Sequence, residues 1–344
     1  MIFNKKKIPY NGALLDPIDE RDYQMEEVAC YAPVKWEEKK TFRSFPVKNQ
    51  NGSSSCVANA VAKILGIENY LEEGEYLDLS ARDIYSRRTN QGVGMQFRDA
   101  MKIGSEQGAT LEHLMPSNGR NEAQMNDTTD RTPYKEIVGR VARGGAYVAT
   151  PLDIESVASI IATGKGVLFG LRFNYNEYNK QVPEIKNGAI LDCHHGIAGV
   201  DFTLYKNKRA IIIDESWGVG NVTQRIITED WFNAGRVTAS WYFEDLKNSG
   251  IINDVVNSDI PKYQFTQDLE FGDRGNDVVK LHEVLIAMGF LNIKEPTGYY
   301  GVLTKNAVMN FQLKYGIIKS KEDAGAGRFG PLSRKCINQI LSEL

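Results

Sequence analysis

The spacing of hydrophobic residues changes along this chain, and the order of those changes limits the folds that it can adopt. Between Ser54 and Tyr70 the apolar residues recur at helical spacing, and a second helical stretch runs from Gln96 to Gln107. Short β-branched runs follow at residues 166–171, 196–200 and 210–213. Helices followed by strands predict an α+β domain made of two lobes.

A polar segment and three further helical patterns complete the chain. Residues 246–265 are rich in Asn, Ser and Asp and contain Pro261, a composition typical of a linker. Beyond it, apolar faces recur around residues 278–288, 307–311 and 332–341, between Gly-containing loops. We therefore predict an N-terminal arm at 1–16, an α+β domain at 17–245, a linker at 246–265 and a small three-helix, all-α domain at 266–344.

The charge balance of the chain argues against a polyanion partner. Its 344 residues include 41 Lys and Arg against 44 Asp and Glu, a formal net charge of −3. The largest basic clusters, Lys5–Lys7 and Lys39–Lys40, are small for nucleic-acid binding. The most apolar stretches are far shorter than the roughly 20 residues that span a bilayer. We expect no nucleic-acid partner and no membrane span.

The four cysteines are scattered, at Cys30, Cys56, Cys193 and Cys336. They are too few for a disulfide scaffold, and no Cys-x-x-Cys pair suggests a zinc site. The run at residues 193–195, Cys-His-His, cannot easily turn three adjacent donors onto one tetrahedral ion. No metal and no cofactor are therefore expected.

Cys56 is the candidate nucleophile. It stands at the start of a predicted helix, behind three serines, and a helix N-terminus stabilises a thiolate. Taken alone, a cysteine is more often a small buried hydrophobe. Gln50, six residues earlier, changes this balance. Its amide and the Cys56 backbone N–H are the kind of donors that an oxyanion hole requires.

A cysteine nucleophile needs a base, and the chain has only four histidines. His113 suits a surface or structural role, and His282 lies in the predicted C-terminal domain. His194 and His195 remain, at the mouth of a predicted strand. The next strand runs into residues 214–217, Asp-Glu-Ser-Trp, where a polar side chain can orient the imidazole and the tryptophan can shield it.

Residues 17–245 resemble the papain-like cysteine peptidases. The segment Pro46-Val-Lys-Asn-Gln50 followed by Ser-Cys56, the strand His195-Gly-Ile and the run Ser216-Trp-Gly218 match that family's motifs in order. The resemblance implies a helical lobe beside a β-barrel-like lobe. It implies Cys56 as nucleophile, His195 as base, Gln50 as oxyanion donor and Glu215 where the family has the orienting Asn.

The sequence departs from the family pattern at several positions. Glu215 replaces Asn, Ser53 replaces a disulfide cysteine and Val57 replaces an aromatic residue. A carboxylate can still orient an imidazolium, as it does in serine triads. Gly92 and Gly94 are candidates for an edge that pairs extended substrate, and an ordinary turn is an equal alternative. With Trp217 they form the predicted substrate-binding set.

The C-terminal domain resembles the three-helix peptidoglycan-binding domain of wall hydrolases. The matching segments are residues 271–281, 289–291, 298–304, 307–312 and 327–332. Most of their apolar residues belong to the core. Tyr299 and Tyr300 are weak candidates for stacking on sugar, and turn packing is the alternative for at least one of them.

Together the two resemblances imply a cysteine endopeptidase at a bacterial cell wall or in a phage particle. The alternatives are a structural virion or wall-attachment protein with a scaffold of little activity, and a stem-peptide hydrolase, amidase or transferase. The expected partners are a polypeptide substrate, peptidoglycan and phage structural proteins. No apolar stretch typical of a signal peptide follows the basic Met1–Tyr10, so we expect synthesis in the cytoplasm and action in a virion or at the wall after lysis or non-standard export. The stretch before Pro46 is short for an inhibitory propeptide and does not itself indicate autoinhibition.

Overall fold

A computed structural model describes residues 12–17, 19, 22, 32–90, 92–218, 221–246, 263–288 and 290–342. Most of the predicted arm and linker, the Lys5–Lys7 cluster, Cys30 and Gly289 lie outside these residues. The chain divides into two compact units. One is Met1–Asp130 with Gly139–Ser249, and the other is Arg131–Val138 with Gly250–Leu344.

One long helix forms the centre of the helical lobe in the first unit. Helix α1 spans Cys56–Glu73 and is buried on all sides over most of its length, as expected for a core helix. It ends at Gly74, whose φ of 76° is the left-handed conformation in which glycine terminates helices. The shorter helices of this lobe are α2 (Ala81–Tyr85), α3 (Phe97–Glu106) and α4 (Glu122–Asn126). Helix α5 (Pro133–Val141) belongs to the second unit as far as Val138 and to the first unit from Gly139.

The second lobe of this unit is built on a six-stranded antiparallel sheet. Its strands are β3 (Tyr147–Ala149), β4 (Val167–Phe173), β5 (Cys193–Tyr205), β6 (Lys208–Asp214), β7 (Gln224–Thr228) and β8 (Val237–Phe243). They lie side by side in the order β3-β8-β4-β5-β6-β7. Helices α6 (Ile154–Ala162) and α7 (Glu229–Asn233) accompany it. Its core packs β-branched and aromatic side chains, among them Phe173, Tyr178 and Trp231.

A separate two-stranded sheet joins β1 (Ala13–Leu14) to β2 (Met95–Gln96). The two strands are parallel, with Ala13 opposite Met95 and Leu14 opposite Gln96. This pairing brings residues near the start of the chain to the front of helix α3.

Beyond Gly250, the described residues of the second unit form three helices, α8 (Asn276–Ala287), α9 (Val302–Lys314) and α10 (Pro331–Ser342). They enclose a core of their own that includes Leu281, Phe311 and Ile337. The predicted fold class, an α+β two-lobe domain followed by a small three-helix domain, is confirmed. The strands β3, β7 and β8, which the sequence pattern did not predict, complete the sheet.

Candidate active site

Cys56 is the first residue of helix α1 and is fully buried. Its N–H belongs to the first turn of the helix, where backbone donors lack intrahelical acceptors and the helix dipole is positive. The Gly196 N–H of strand β5 approaches Sγ at 3.4 Å. A Cβ at Gly196 would lie 2.7 Å from Val57 Cγ2, so this close approach of strand to helix requires a glycine.

His195 belongs to strand β5, lies beside Cys56 and is likewise fully buried. Its Nε2 is 3.0 Å from Glu215 Oε2, so the ring nitrogen that serves the thiol is Nδ1. Burial alone would lower the pKa of His195. The charge of Glu215 and the hydrogen bond and charge of Cys56 outweigh burial and raise that pKa to about 9. At neutral pH the ring is therefore an imidazolium.

Glu215 directly follows strand β6 and is fully buried behind the histidine. Its Oε1 accepts hydrogen bonds from the Tyr178 hydroxyl at 2.5 Å and from Arg225 Nε at 2.9 Å. Burial would raise the pKa of this carboxyl, but the charges and hydrogen bonds of His195, Arg225 and Tyr178 lower it. Glu215 is thus an anion that accepts from three donors.

Aromatic rings cover the hydrogen-bonded pair of His195 and Glu215. The Trp217 ring lies 5.6 Å from the His195 ring, centroid to centroid, at an interplanar angle of 30°. Tyr178 contacts both rings edge-on, at 5.7 Å from Trp217 and 6.3 Å from His195. These rings keep water from the hydrogen bond between His195 and Glu215. Trp217 is nearly buried, a position that suits the predicted shielding role better than broad contact with substrate.

Gln50 is held in one orientation by the loop that carries Trp217. The Gln50 backbone N–H donates to the Ser216 carbonyl at 2.7 Å, and the Ser216 hydroxyl donates to Oε1 at 2.6 Å. Nε2 donates one hydrogen to the Ser53 carbonyl at 2.9 Å. An amide nitrogen has two hydrogens, and the second is the donor that an oxyanion requires.

His194 points to different partners from its neighbour because successive strand residues face opposite sides. Its Nε2 is 2.8 Å from Thr238 Oγ1. Burial lowers the pKa of His194 to about 4, so this ring is neutral. His282 bonds Thr304 at 2.8 Å inside the second unit, and His113 is exposed. Of the four histidines, only His195 is joined to Cys56 by a described contact.

The backbone just before strand β1 lies against the candidate nucleophile. A Cβ at Gly12 would lie 2.8 Å from Cys56 Sγ and 2.4 Å from the Ser54 carbonyl oxygen, so the backbone at Gly12 lies directly against the thiol. The Met95 N–H donates to the Gly12 carbonyl at 2.8 Å. Arg98 anchors the segment that follows, since its side chain bonds Asp22 and the Pro17 carbonyl. The chain itself therefore covers Cys56.

The predicted edge at Gly92 and Gly94 lies next to this cover. Gly94, with a φ of 84°, packs against the Gly12 carbonyl, to which a Cβ at position 94 would come within 2.7 Å. Gly92 is exposed, and its carbonyl accepts from Arg88. The residues that pair with extended backbone are Met95 and Gln96, just beyond the two glycines.

In the second unit the two candidate tyrosines differ. Tyr300 is fully buried, and its hydroxyl donates to the Gly327 carbonyl at 3.0 Å, so its ring cannot stack on a sugar. This corrects the sequence-based candidate, because Tyr300 belongs to the core. Tyr299 is half-buried, and the Arg274 guanidinium lies 4.1 Å from its ring centroid.

The described residues give no sign of a disulfide, a metal site or a membrane-spanning helix. The described cysteines, Cys56, Cys193 and Cys336, are not joined by disulfide bonds. No cluster of three or more His, Cys, Asp or Glu side chains in the described part of the chain is arranged to hold a metal. No helix in that part is both long and apolar enough to cross a membrane.

Sequence reasoning missed Tyr178, Arg225 and Gly12. Arg225 carried a signal, since it is a charged residue within a β-branched run, Gln224-Arg-Ile-Ile-Thr228, that otherwise resembles a buried strand. Tyr178 lies in the long connection between β4 and β5 and had no such signal. Gly12 is one of 31 glycines, and only its contacts distinguish it.

Comparison with solved structures shows the fold of this site's scaffold. Xylellain, a cysteine protease from Xylella fastidiosa, aligns with a TM-score of 0.58 and 18% identity, over 72% of this chain and all of xylellain. Digestive procathepsin L 3 of Tenebrio molitor larval midgut aligns with a TM-score of 0.51 and 16% identity, over 65% of this chain and 74% of its own. The first unit thus has the papain-like cysteine protease fold.

The second unit is recognised at the level of sequence. Residues 274–319 match the family model described as "Putative peptidoglycan binding domain". The matched segment begins just before helix α8 and ends after helix α9. No curated protein matches the chain. The molecule therefore combines a papain-like fold with a peptidoglycan-binding type of domain.

Proposed function

We propose that this protein is a cysteine-dependent endopeptidase. The observation that carries the proposal is the buried set of contacts that links Cys56 to His195 and His195 to Glu215. Cys56 stands at the N-terminus of helix α1. The papain-like fold supports the same conclusion. All three roles of nucleophile, base and orienting group are filled by adjacent side chains.

The geometry suits acyl transfer in two steps, acylation of Cys56 and hydrolysis of the acyl enzyme. The Cys56 thiolate, paired with the His195 imidazolium, attacks the substrate carbonyl carbon, and the carbonyl electron pair moves to oxygen. The Cys56 N–H and Gln50 Nε2 stabilise that oxyanion. His195 then gives its proton to the leaving amine. Water, deprotonated by the neutral imidazole, attacks the acyl enzyme and restores the thiolate and imidazolium pair.

Strand β1 must leave before substrate reaches this site. The Gly12 backbone lies against the thiol, and β1 pairs with the edge that extended substrate would use. We therefore propose that the folded chain is a covered form of the enzyme. The cover also supports the second candidate, a scaffold of little activity, if β1 never leaves.

The C-terminal domain directs the proposed activity to peptidoglycan. The match over residues 274–319 supports a wall partner. A bacterial wall, or a phage particle acting on one, is the proposed place of action. The substrate is a polypeptide there, and the peptide stem of peptidoglycan is the alternative.

The test compares the full chain with its Cys56→Ala variant. Both are treated with an epoxide or iodoacetamide probe and supplied with a casein-like substrate and with purified sacculi. Cys56-dependent labelling with casein cleavage supports the endopeptidase, and muropeptide release supports the stem-peptide hydrolase. Hydrolysis that persists in Cys56→Ala would refute the proposed chemistry, and absence of both activities would leave the scaffold.

A further inference from the structure

The two carboxylate oxygens of Glu215 have different hydrogen-bond partners. Oε2 faces His195 Nε2 at 3.0 Å. Oε1 accepts from Tyr178 at 2.5 Å and from Arg225 at 2.9 Å. All four residues are at most 1% exposed, so no bulk solvent competes for these bonds. The side of Glu215 away from the histidine is therefore fixed by the other two residues.

Arg225 is buried within this site and packs against its aromatic rings. Its guanidinium carbon lies 4.4 Å from the Tyr178 ring centroid and 4.5 Å from that of Trp217, so it packs between two of the rings that frame His195. One terminal nitrogen donates to the Lys180 carbonyl. On its strand it precedes the buried Ile226 and Ile227. A buried guanidinium is stable there only because it is paired.

The charges of the reacting groups explain why such a partner is needed. An asparagine in the orienting position is neutral, so the net charge of the thiolate, the imidazolium and the asparagine together is zero. Glu215 adds one negative charge to this buried set, and Arg225 returns the sum to zero. Without Arg225, the extra carboxylate charge would bind the His195 proton more tightly and weaken that ring as an acid toward the leaving amine.

We propose that Arg225, assisted by Tyr178, is a positioning residue for the reaction, which holds and neutralises Glu215 so that a carboxylate performs the orienting role of the family's asparagine. This inference rests on the proposed function. The described groups that act on His195 include Cys56 of helix α1, Glu215 and the neighbouring His194, which is neutral. Those that act on Glu215 include His195 of β5, Arg225 of β7 and Tyr178.

The test is a double-mutant cycle in the full chain, with Arg225→Met, Glu215→Asn and the two combined. Arg225→Met alone should lower kcat on a casein-like substrate by about 100-fold, the lower end of what a positioned general acid–base contributes. The double variant restores a neutral orienting group and removes the unpaired charge, so it should recover at least about tenfold of that loss. A double variant no better than Arg225→Met would overturn the proposal.

A second measurement does not depend on activity. With four histidines in the chain, ¹⁵N-histidine NMR can follow the titration of His195. Arg225→Met should raise its midpoint by about one pH unit, and the double variant should lower it below the wild-type midpoint. An unchanged midpoint in Arg225→Met would contradict the inference. If the proposed function fails, Cys56-dependent hydrolysis is absent from the wild type, while this titration still decides the role of Arg225.

Two milder variants guard against loss of folding. Arg225→Lys keeps the charge and should retain a His195 midpoint close to that of the wild type. Tyr178→Phe removes one of the two donors to Oε1 without changing charge, and should lower kcat by about three- to tenfold with KM unchanged. Full activity in Tyr178→Phe together with a shifted midpoint in Arg225→Lys would contradict the assigned roles.

Discussion

The proton on His195 determines the pH range of the proposed chemistry. The imidazolium form is the acid that protonates the leaving amine, and the charge of Glu215 and the contact with Cys56 hold the pKa of His195 at about 9 despite its burial. Hydrolysis by the wild-type chain should therefore fall with an alkaline midpoint near pH 9. In Glu215→Gln the anion is lost, and the midpoint should drop toward the ordinary imidazole value of about 6.5. The pH dependence of kcat/KM on a casein-like substrate measures both, because that ratio reports the ionisations of the free enzyme.

The same ionisation has a consequence for stability. The pKa of His195 is higher in the folded chain than the value of 6.5 that it has without its partners. The stability contributed by protonation is thus complete below about pH 6.5 and is lost as the pH rises through about 9. Urea unfolding of the wild type should give a lower midpoint at pH 10 than at pH 6.5, and Glu215→Gln should reduce this difference. An equal difference in both proteins would contradict the assignment to this pair.

At the scale of the elements, the strands and helices that position the site were largely predictable. Helix α1 was expected at Ser54–Tyr70 and spans Cys56–Glu73, and the β-branched runs became β4, β5 and β6. Local periodicity suffices for these because each depends on its own apolar pattern. The buried ion pair of Lys63 with Asp214, at 2.7 Å, joins α1 to β6 across 151 residues of sequence. No local pattern reports a pairing of that kind.

Strand β1 was unpredictable for the same reason. It has two residues, and its partner β2 lies 82 positions further along the chain. The resemblance to a known family predicted the nucleophile and the base, but the cover depends on a parallel pairing that a single sequence does not encode locally. The Glu215 partners Tyr178 and Arg225 also come from separate parts of the chain.

A substitution at Gly12 tests the cover as an element. A side chain there would meet Cys56 Sγ and the Ser54 carbonyl, so Gly12→Val should displace β1 and raise the rate of iodoacetamide labelling at Cys56 by about tenfold or more. Peptide mapping by mass spectrometry separates Cys56 from the other cysteines. Gly330→Ala is the matched control, since a Cβ there meets nothing within 4 Å. An unchanged labelling rate in Gly12→Val would show that β1 does not limit access.

At the scale of the whole molecule, the proposed chemistry and the proposed targeting are assigned to different units. The second unit has its own core and contains the segment that matches a peptidoglycan-binding family. Deletion of residues 266–344 should abolish retention on purified sacculi while Cys56 labelling continues. Cys56→Ala should remain bound to sacculi, because its change lies in the first unit. Retention of the deleted chain would show that wall binding arises elsewhere.

Strand β1 belongs to the same polypeptide as the site that it covers, so it competes for that site more effectively than a free peptide does. A tethered segment acts at an effective concentration on the order of millimolar, which does not change when the protein is diluted. A substrate must compete with that concentration, so the cover should raise the apparent KM and leave the maximal rate per open molecule unchanged. Substrates crowded on a polymer such as a cell wall would compete far better than the same peptides in dilute solution.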